Sequence, residues 1–112
     1  MNRLPPTTRT ATIAATETIS DVVDIDQYQI GALVMPAAWD TATITLQASA
    51  TRDGTFLDVY DDEGAAITVV AAANRVIVLD EAVFATAGLK YLKFKTSAAQ
   101  TAERKIIVIL KG

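Results

Sequence analysis

The residues of this chain best suited by type to do chemistry are its carboxylates. Asp58, Asp61, Asp62 and Glu63 form the densest acidic group, and hard cations such as calcium are held by several oxygen ligands at short range. Their spacing does not follow the alternating D-x-D-x-D-G loop with a distal glutamate, so a solvated turn is expected there and no metal is assigned. Asp21, Asp24 and Asp26 alternate with Val22, Val23 and Ile25. A glycosidase would need two such acids about 5 to 9 Å apart across a cleft. Acids along the margin of a strand do something plainer, which is to deter unwanted pairing, and that is the expectation for this stretch. Histidine and cysteine are both absent. This removes the commonest general base, the commonest transition-metal ligand, thiolate nucleophiles and disulfides together. No catalytic residue and no cofactor is assigned, and the chain is expected not to be an enzyme.

Residues that could instead meet a partner are more numerous. Trp39, the single tryptophan, follows Pro36 and two alanines and serves either as a plug at one end of the core or as an exposed anchor. Tyr91, Lys93 and Lys95 alternate along one late strand and project together, as a contact surface or as a solvated face. Arg3 and Arg9 flank Pro5 and Pro6, which hold the backbone extended. Charge is unevenly spread. Residues 17–63 hold ten of the thirteen acids and only Arg52 as a base, whereas residues 88–112 hold six bases and only Glu103 as an acid. Either the two regions meet between copies in a head-to-tail ring, or they neighbour each other within one domain and neutralise locally.

These side chains must be positioned by strands. The chain has 112 residues, 51% of them hydrophobic but only 6% aromatic, enough for one domain with a core of small branched side chains. Residues 1–8 are expected to form an extended N-terminal arm, and residues 9–112 the folded domain. Residues 9–15 read as an edge strand with Ile13 inward. Residues 27–35 form a strand closed by Pro36, with Gly31 marking a bulge or close packing. Residues 43–48 alternate cleanly, turning Ile44, Leu46 and Ala48 to one face. Asp53-Gly54 then predicts a positive-φ hairpin turn into residues 56–60. After a second turn over residues 61–64, residues 66–70 and 75–79 read as a further pair of strands joined by residues 71–74.

Asp80 could cap one or two helical turns over residues 81–87, ending at Gly88. Residues 89–96 alternate again, with Leu92 and Phe94 inward, while residues 106–110 are apolar at every position and are expected to be covered on both faces. Eight or nine short strands without a sustained helical period predict an all-β fold, an antiparallel sandwich.

A resemblance gives this pattern a family. The segment W-D-T-A-T-I-T-L-Q-A-S-A-T-R-D-G-T-F-L-D-V-Y-D, residues 39–61, resembles the first half of a discoidin-type or galactose-binding-like jelly roll. Residues 89–111, L-K-Y-L-K-F-K-T-S-A-A-Q-T-A-E-R-K-I-I-V-I-L-K, are similar to its closing strands. With I-G-A-L-V-M-P-A-A-W and F-A-T-A-G-L-K-Y-L-K-F-K, the sequence resembles small virion proteins of tailed phages. The resemblance implies a jelly roll of about eight strands that acts as a capsid decoration (cement) protein on the virion surface. Its partner would be the major capsid protein, and it would assemble as a small cyclic homo-oligomer, a trimer, after synthesis in the host cytoplasm. The alternative is a carbohydrate-binding module of a tail tip or fibre, holding a glycan through Trp39 and Tyr60. A net charge of -3 speaks against nucleic acid. No run approaches the roughly 18 to 20 apolar residues of a membrane span, and no export signal is apparent, so no membrane partner is expected.

Overall fold

Alternation decides which face of each strand is buried, and in the computed structural model, which describes residues 4–80 and 88–112, it produces nine strands and no helix among the described residues. They are β1 (Thr7–Ile13), β2 (Val23–Asp24), β3 (Gln29–Val34), β4 (Thr43–Ser49), β5 (Leu57–Asp58), β6 (Thr68–Val70), β7 (Val76–Val78), β8 (Tyr91–Thr96) and β9 (Arg104–Lys111). The first sheet runs β1-β9-β3-β7; in the second, β2-β8-β4-β5, β6 also pairs with β4. All pairings are antiparallel. Residues 81–87, where a short helix was expected, and residues 1–3 lie outside the described residues.

The pairing is nested. β1 pairs with β9, β2 with β8, β3 with β7, and β4 with β5 and β6. The chain is thus a long hairpin with its apex at residues 50–56, rolled up so that β3 also meets β9 and β4 also meets β8. β5 and β6 lie along the same side of β4 and count as one strand interrupted by an excursion over residues 60–66, which makes eight strands in a jelly roll. Asp61 closes that excursion: its Oδ1 accepts the Glu63 and Ala65 N–H groups, each at 2.9 Å, and Gly64 takes φ +87.

Both sheets bury one face. The first contributes Ala11, Ile13, Ile30, Leu33, Ile106, Val108 and Leu110, the second Val23, Ile44, Leu46, Val69, Leu92 and Phe94, and all belong to one core cluster. Ile44 and Leu46 point inward as the alternation of β4 requires, as do Leu92 and Phe94 on β8. The bulge expected at Gly31 is present, since the β3–β9 register shifts between Ile30 and Ala32.

Four expectations are corrected. Thr7 and Thr8, assigned to the arm, already belong to β1 and pair with Leu110 and Ile109. The strands over residues 66–70 and 75–79 do not pair with each other. Residues 71–75 instead cross from the second sheet to the first, with left-handed Asn74 (φ 59) donating its N–H to the Pro36 carbonyl at 2.8 Å. Gly54 does not have positive φ. It is suited to its place by space, because a Cβ there would come within 2.5 Å of Thr51 Oγ1 and 2.6 Å of Ser49 Oγ. Finally, β9 is covered on one face only: Ile106, Val108 and Leu110 are buried while Ile107 is 41% exposed. The two sheets cover each other's inner faces, while Val76, Val78 and Ile107 on the outer face of the first stay exposed.

Phe94 is the largest fully buried side chain among the described residues. Phe94→Ala is expected to cost about 3 to 5 kcal/mol in urea denaturation, while Val70→Ala, at a position 84% exposed, changes stability by less than about 0.5 kcal/mol.

Candidate functional site

The most elaborate polar arrangement ties loops together at one end of the roll. Gln100, in the β8–β9 loop, is fully buried. Its Oε1 accepts the Asp40 N–H at 2.9 Å and Arg104 Nε at 3.3 Å, and its Nε2 donates to the carbonyls of Asp40 at 3.1 Å and Ala98 at 3.4 Å. Its backbone joins the β1–β2 loop, accepting from Thr16 N–H at 2.7 Å and donating to the Glu17 carbonyl at 3.3 Å. Asp40 completes the knot: Oδ2 accepts the Thr101 N–H at 2.8 Å, and Oδ1 accepts Arg104 Nη2 at 2.9 Å and the Thr101 hydroxyl at 3.2 Å.

The Thr101 N–H holds the Asp40 carboxyl below its ordinary value of 3.8; partial desolvation opposes this, and the Thr101 hydroxyl and Arg104 reinforce it. Every hydrogen-bonding atom of the Gln100 amide and both Asp40 oxygens are engaged, so this cluster fastens three loops and leaves no group poised to react.

The side chains singled out as partner contacts are dispersed. Arg3 lies outside the described residues. Arg9 is spent inside the domain, its Nε donating to the Asp24 carbonyl at 2.9 Å and so joining β1 of one sheet to β2 of the other. Trp39 packs against the core from the β3–β4 loop and donates to the Ala42 carbonyl at 3.4 Å. Tyr91, Lys93 and Lys95 do share the outer face of the second sheet, but each lysine has a local neighbour. Lys93 Nζ sits 4.5 Å from the centre of the Phe56 ring, and Lys95 Nζ is 3.9 Å from Asp58.

The separated charges of the sequence also meet within the chain: Lys90 with Asp26, Lys95 with Asp58 and Arg104 with Asp40 each join the basic C-terminal region to the acidic one. The acidic stretch over residues 21–26 does lie at a sheet margin, and Asp21 is hydrogen-bonded through backbone and carboxylate to Thr12 of β1. Among the described residues no three acidic side chains converge where they could hold a metal ion.

What the sequence did not disclose is the outer face of the first sheet. Cross-strand register places Thr10, Ile107, Val34 and Val76 in one row and Thr8, Ile109, Ala32 and Val78 in the next. Val76 is 58% and Val78 81% exposed. On this face Val76, Val78 and Ile107 are exposed, Val34 and Ile109 are half-buried and Ala32 is buried, with threonines of β1 at the border. The one signal in the sequence was the unbroken apolar run of β9. Apolar patches of this kind mark contact surfaces in soluble proteins.

The chain matches no family model, no curated protein and no solved structure.

Replacing Gln100 with Leu takes the side-chain partner from both the Asp40 N–H and the Asp40 carbonyl and is expected to lower stability by about 1 to 3 kcal/mol in urea denaturation. Because the Asp40 pKa is depressed in the folded state, its contribution is fully present above about pH 4 and is lost as pH falls through the folded value. The stability gap between the wild type and Asp40→Asn should therefore shrink on acidification from pH 5, as measured by thermal melts across that range.

Proposed function

We propose that this protein is a structural component of a tailed-phage virion, a capsid decoration (cement) protein that binds the outside of the assembled shell and stabilises it. The observation that carries this reading is the aliphatic outer face of the first sheet, where Val76, Val78 and Ile107 are exposed beside half-buried Val34 and Ile109. Its composition fits contact with another protein surface. The sequence resemblance to small phage virion proteins supplies the partner class, the major capsid protein, and the location, the virion surface.

The mechanism requires no reactive group. A protein that binds the assembled lattice and not its dissociated subunits stabilises the lattice by mass action, by about 2.7 kcal/mol per site when its free concentration is a hundredfold above its dissociation constant. The aliphatic rows supply the buried area, and the threonines of β1 supply hydrogen-bonding groups at the margin. The rigid roll behind the face keeps the ordering cost of binding low. Trp39, which the glycan-binding alternative would use, is partly buried against the core, whereas Tyr60 is exposed.

Mixing the purified protein with undecorated, expanded phage shells should give saturable, stoichiometric binding and a raised shell melting temperature. Ile107→Lys should weaken that binding at least about tenfold, or 1.4 kcal/mol, without lowering the melting temperature of the isolated protein. Absence of binding at micromolar concentration would overturn the proposal, and full binding by Ile107→Lys would overturn the assignment of the face.

A further inference from the structure

The roll divides at its apex. Among the described strands every pairing joins one of β1 to β4 with one of β5 to β9, and none joins two strands from the same side of residues 50–56. Each sheet therefore alternates between the two parts of the chain, β1-β9-β3-β7 in the first and β2-β8-β4-β5 in the second. Neither part holds a sheet by itself in this topology, because its strands have their hydrogen-bonding neighbours in the other. The loop fastening crosses the same division, since Gln100 binds Asp40 through its side chain and Thr16 and Glu17 through its backbone. The peptide link at the apex is one connection among many.

That link is also the most accessible to a protease. Residues 50–55 are all exposed and lie between the strands that Ala48 and Leu57 pair. The hydrogen bonds of this loop are local, from Gly54 N–H to the Thr51 carbonyl at 3.2 Å and from the Ser49 hydroxyl to the same carbonyl at 2.6 Å. Exposed loop tips of small and polar residues are preferred sites of nicking, because the chain there can be drawn into a protease cleft without dismantling a sheet. Arg52 stands in this loop, whereas the basic residues elsewhere in the described chain are held. Arg9, Lys93, Lys95 and those of β9 lie within strands. Arg75 and Lys90 lie outside strands, but the carbonyls a protease would attack accept the Met35 N–H at 2.8 Å and the Ile25 N–H at 2.9 Å. Residues 81–87 contain neither lysine nor arginine, so no competing site falls there.

We infer that the Arg52–Asp53 peptide bond is a processing site for a protease that recognises basic residues, and that the product is a folded two-chain molecule of residues 1–52 and 53–112. Hydrolysis consumes one water and leaves a carboxylate on Arg52 and an amino group on Asp53. It breaks no hydrogen bond between strands. Once the link is cut, unfolding becomes dissociation. A short loop holds its ends at an effective concentration of about millimolar, and a small domain favours its folded state by about a thousandfold or more, so the two pieces dissociate at about micromolar concentration or below. The outer face of the first sheet persists, with Val34 on one piece and Val76, Val78 and Ile107 on the other. The cut and its product are independent of the capsid reading.

Limited digestion of the purified full chain with trypsin tests it. Mass spectrometry should show cleavage after Arg52 ahead of any cut after Arg75, Lys90 or the basic residues of the strands. The cut protein should elute from gel filtration with the uncut chain, keep its circular dichroism spectrum, and separate into its two pieces in urea. Its melting temperature should fall on dilution, while that of the uncut chain stays fixed, because only the cut form unfolds into two molecules. Arg52→Gln should slow the cut at least tenfold with an unchanged circular dichroism spectrum, and Arg52→Lys should restore it. Earlier cleavage at another of these residues, degradation to small peptides, separation of the pieces in native buffer well above the expected dissociation constant, or cleavage of Arg52→Gln at the wild-type rate would each overturn it.

Discussion

Nested antiparallel pairing constrains everything else in this molecule. With β1 held to β9, β2 to β8, β3 to β7 and β4 to β5 and β6, the ribbon can bury its apolar side only by rolling, which brings β3 against β9 and β4 against β8. Rolling then fixes which side chains meet. Leu33 and Val108, side by side on one sheet, and Leu46 and Phe94, side by side on the other, join a single core because the two inner faces must exclude water together. The same operation turns Val34, Ile107, Val76 and Val78 outward, where no element among the described residues shields them.

A rolled ribbon has ends that the core does not secure. At one end the structure uses Gln100, whose amide and backbone bind the β1–β2 and β3–β4 loops to the β8–β9 loop, with Asp40 and Arg104 completing the fastening. A buried amide is suited to this because one side chain offers two donors and two acceptor sites in fixed geometry. Along one flank, Arg9 and Asp21 sew β1 to β2. Stability and interaction are thereby divided, with polar side chains spent on closure and aliphatic ones left for contact. The proposed decoration role draws on that division through the aliphatic face.

Much of the fold was legible because alternation is a local property. β4 and β8 each alternate over six or more residues, and their inward positions follow from period two alone. The Gly31 bulge and the turn at Asp61 to Gly64 were legible for the same reason. Where partners were distant in sequence, local pattern failed. Residues 66–70 and 75–79 resemble a hairpin, yet the short linker between them spans the two sheets. β9 is apolar throughout, which suggests double coverage, but one of its faces is exposed. The site was less legible still. Gln100 is unremarkable in sequence, and its role arises only from three loops converging on it. Arg9, Lys93 and Lys95 were reasonable contact candidates until the roll placed a carbonyl, a phenyl ring and a carboxylate beside them.

Nuclear Overhauser contacts in the isotopically labelled chain test the rolled pairing most directly. The account predicts that backbone protons of Val108 lie close to those of both Arg9 and Leu33, and that those of Gln47 lie close to those of both Lys93 and Asp58. Strand contacts between residues 68–70 and 76–78 in place of these, as a local hairpin would produce, would contradict the roll, and with it the outward face.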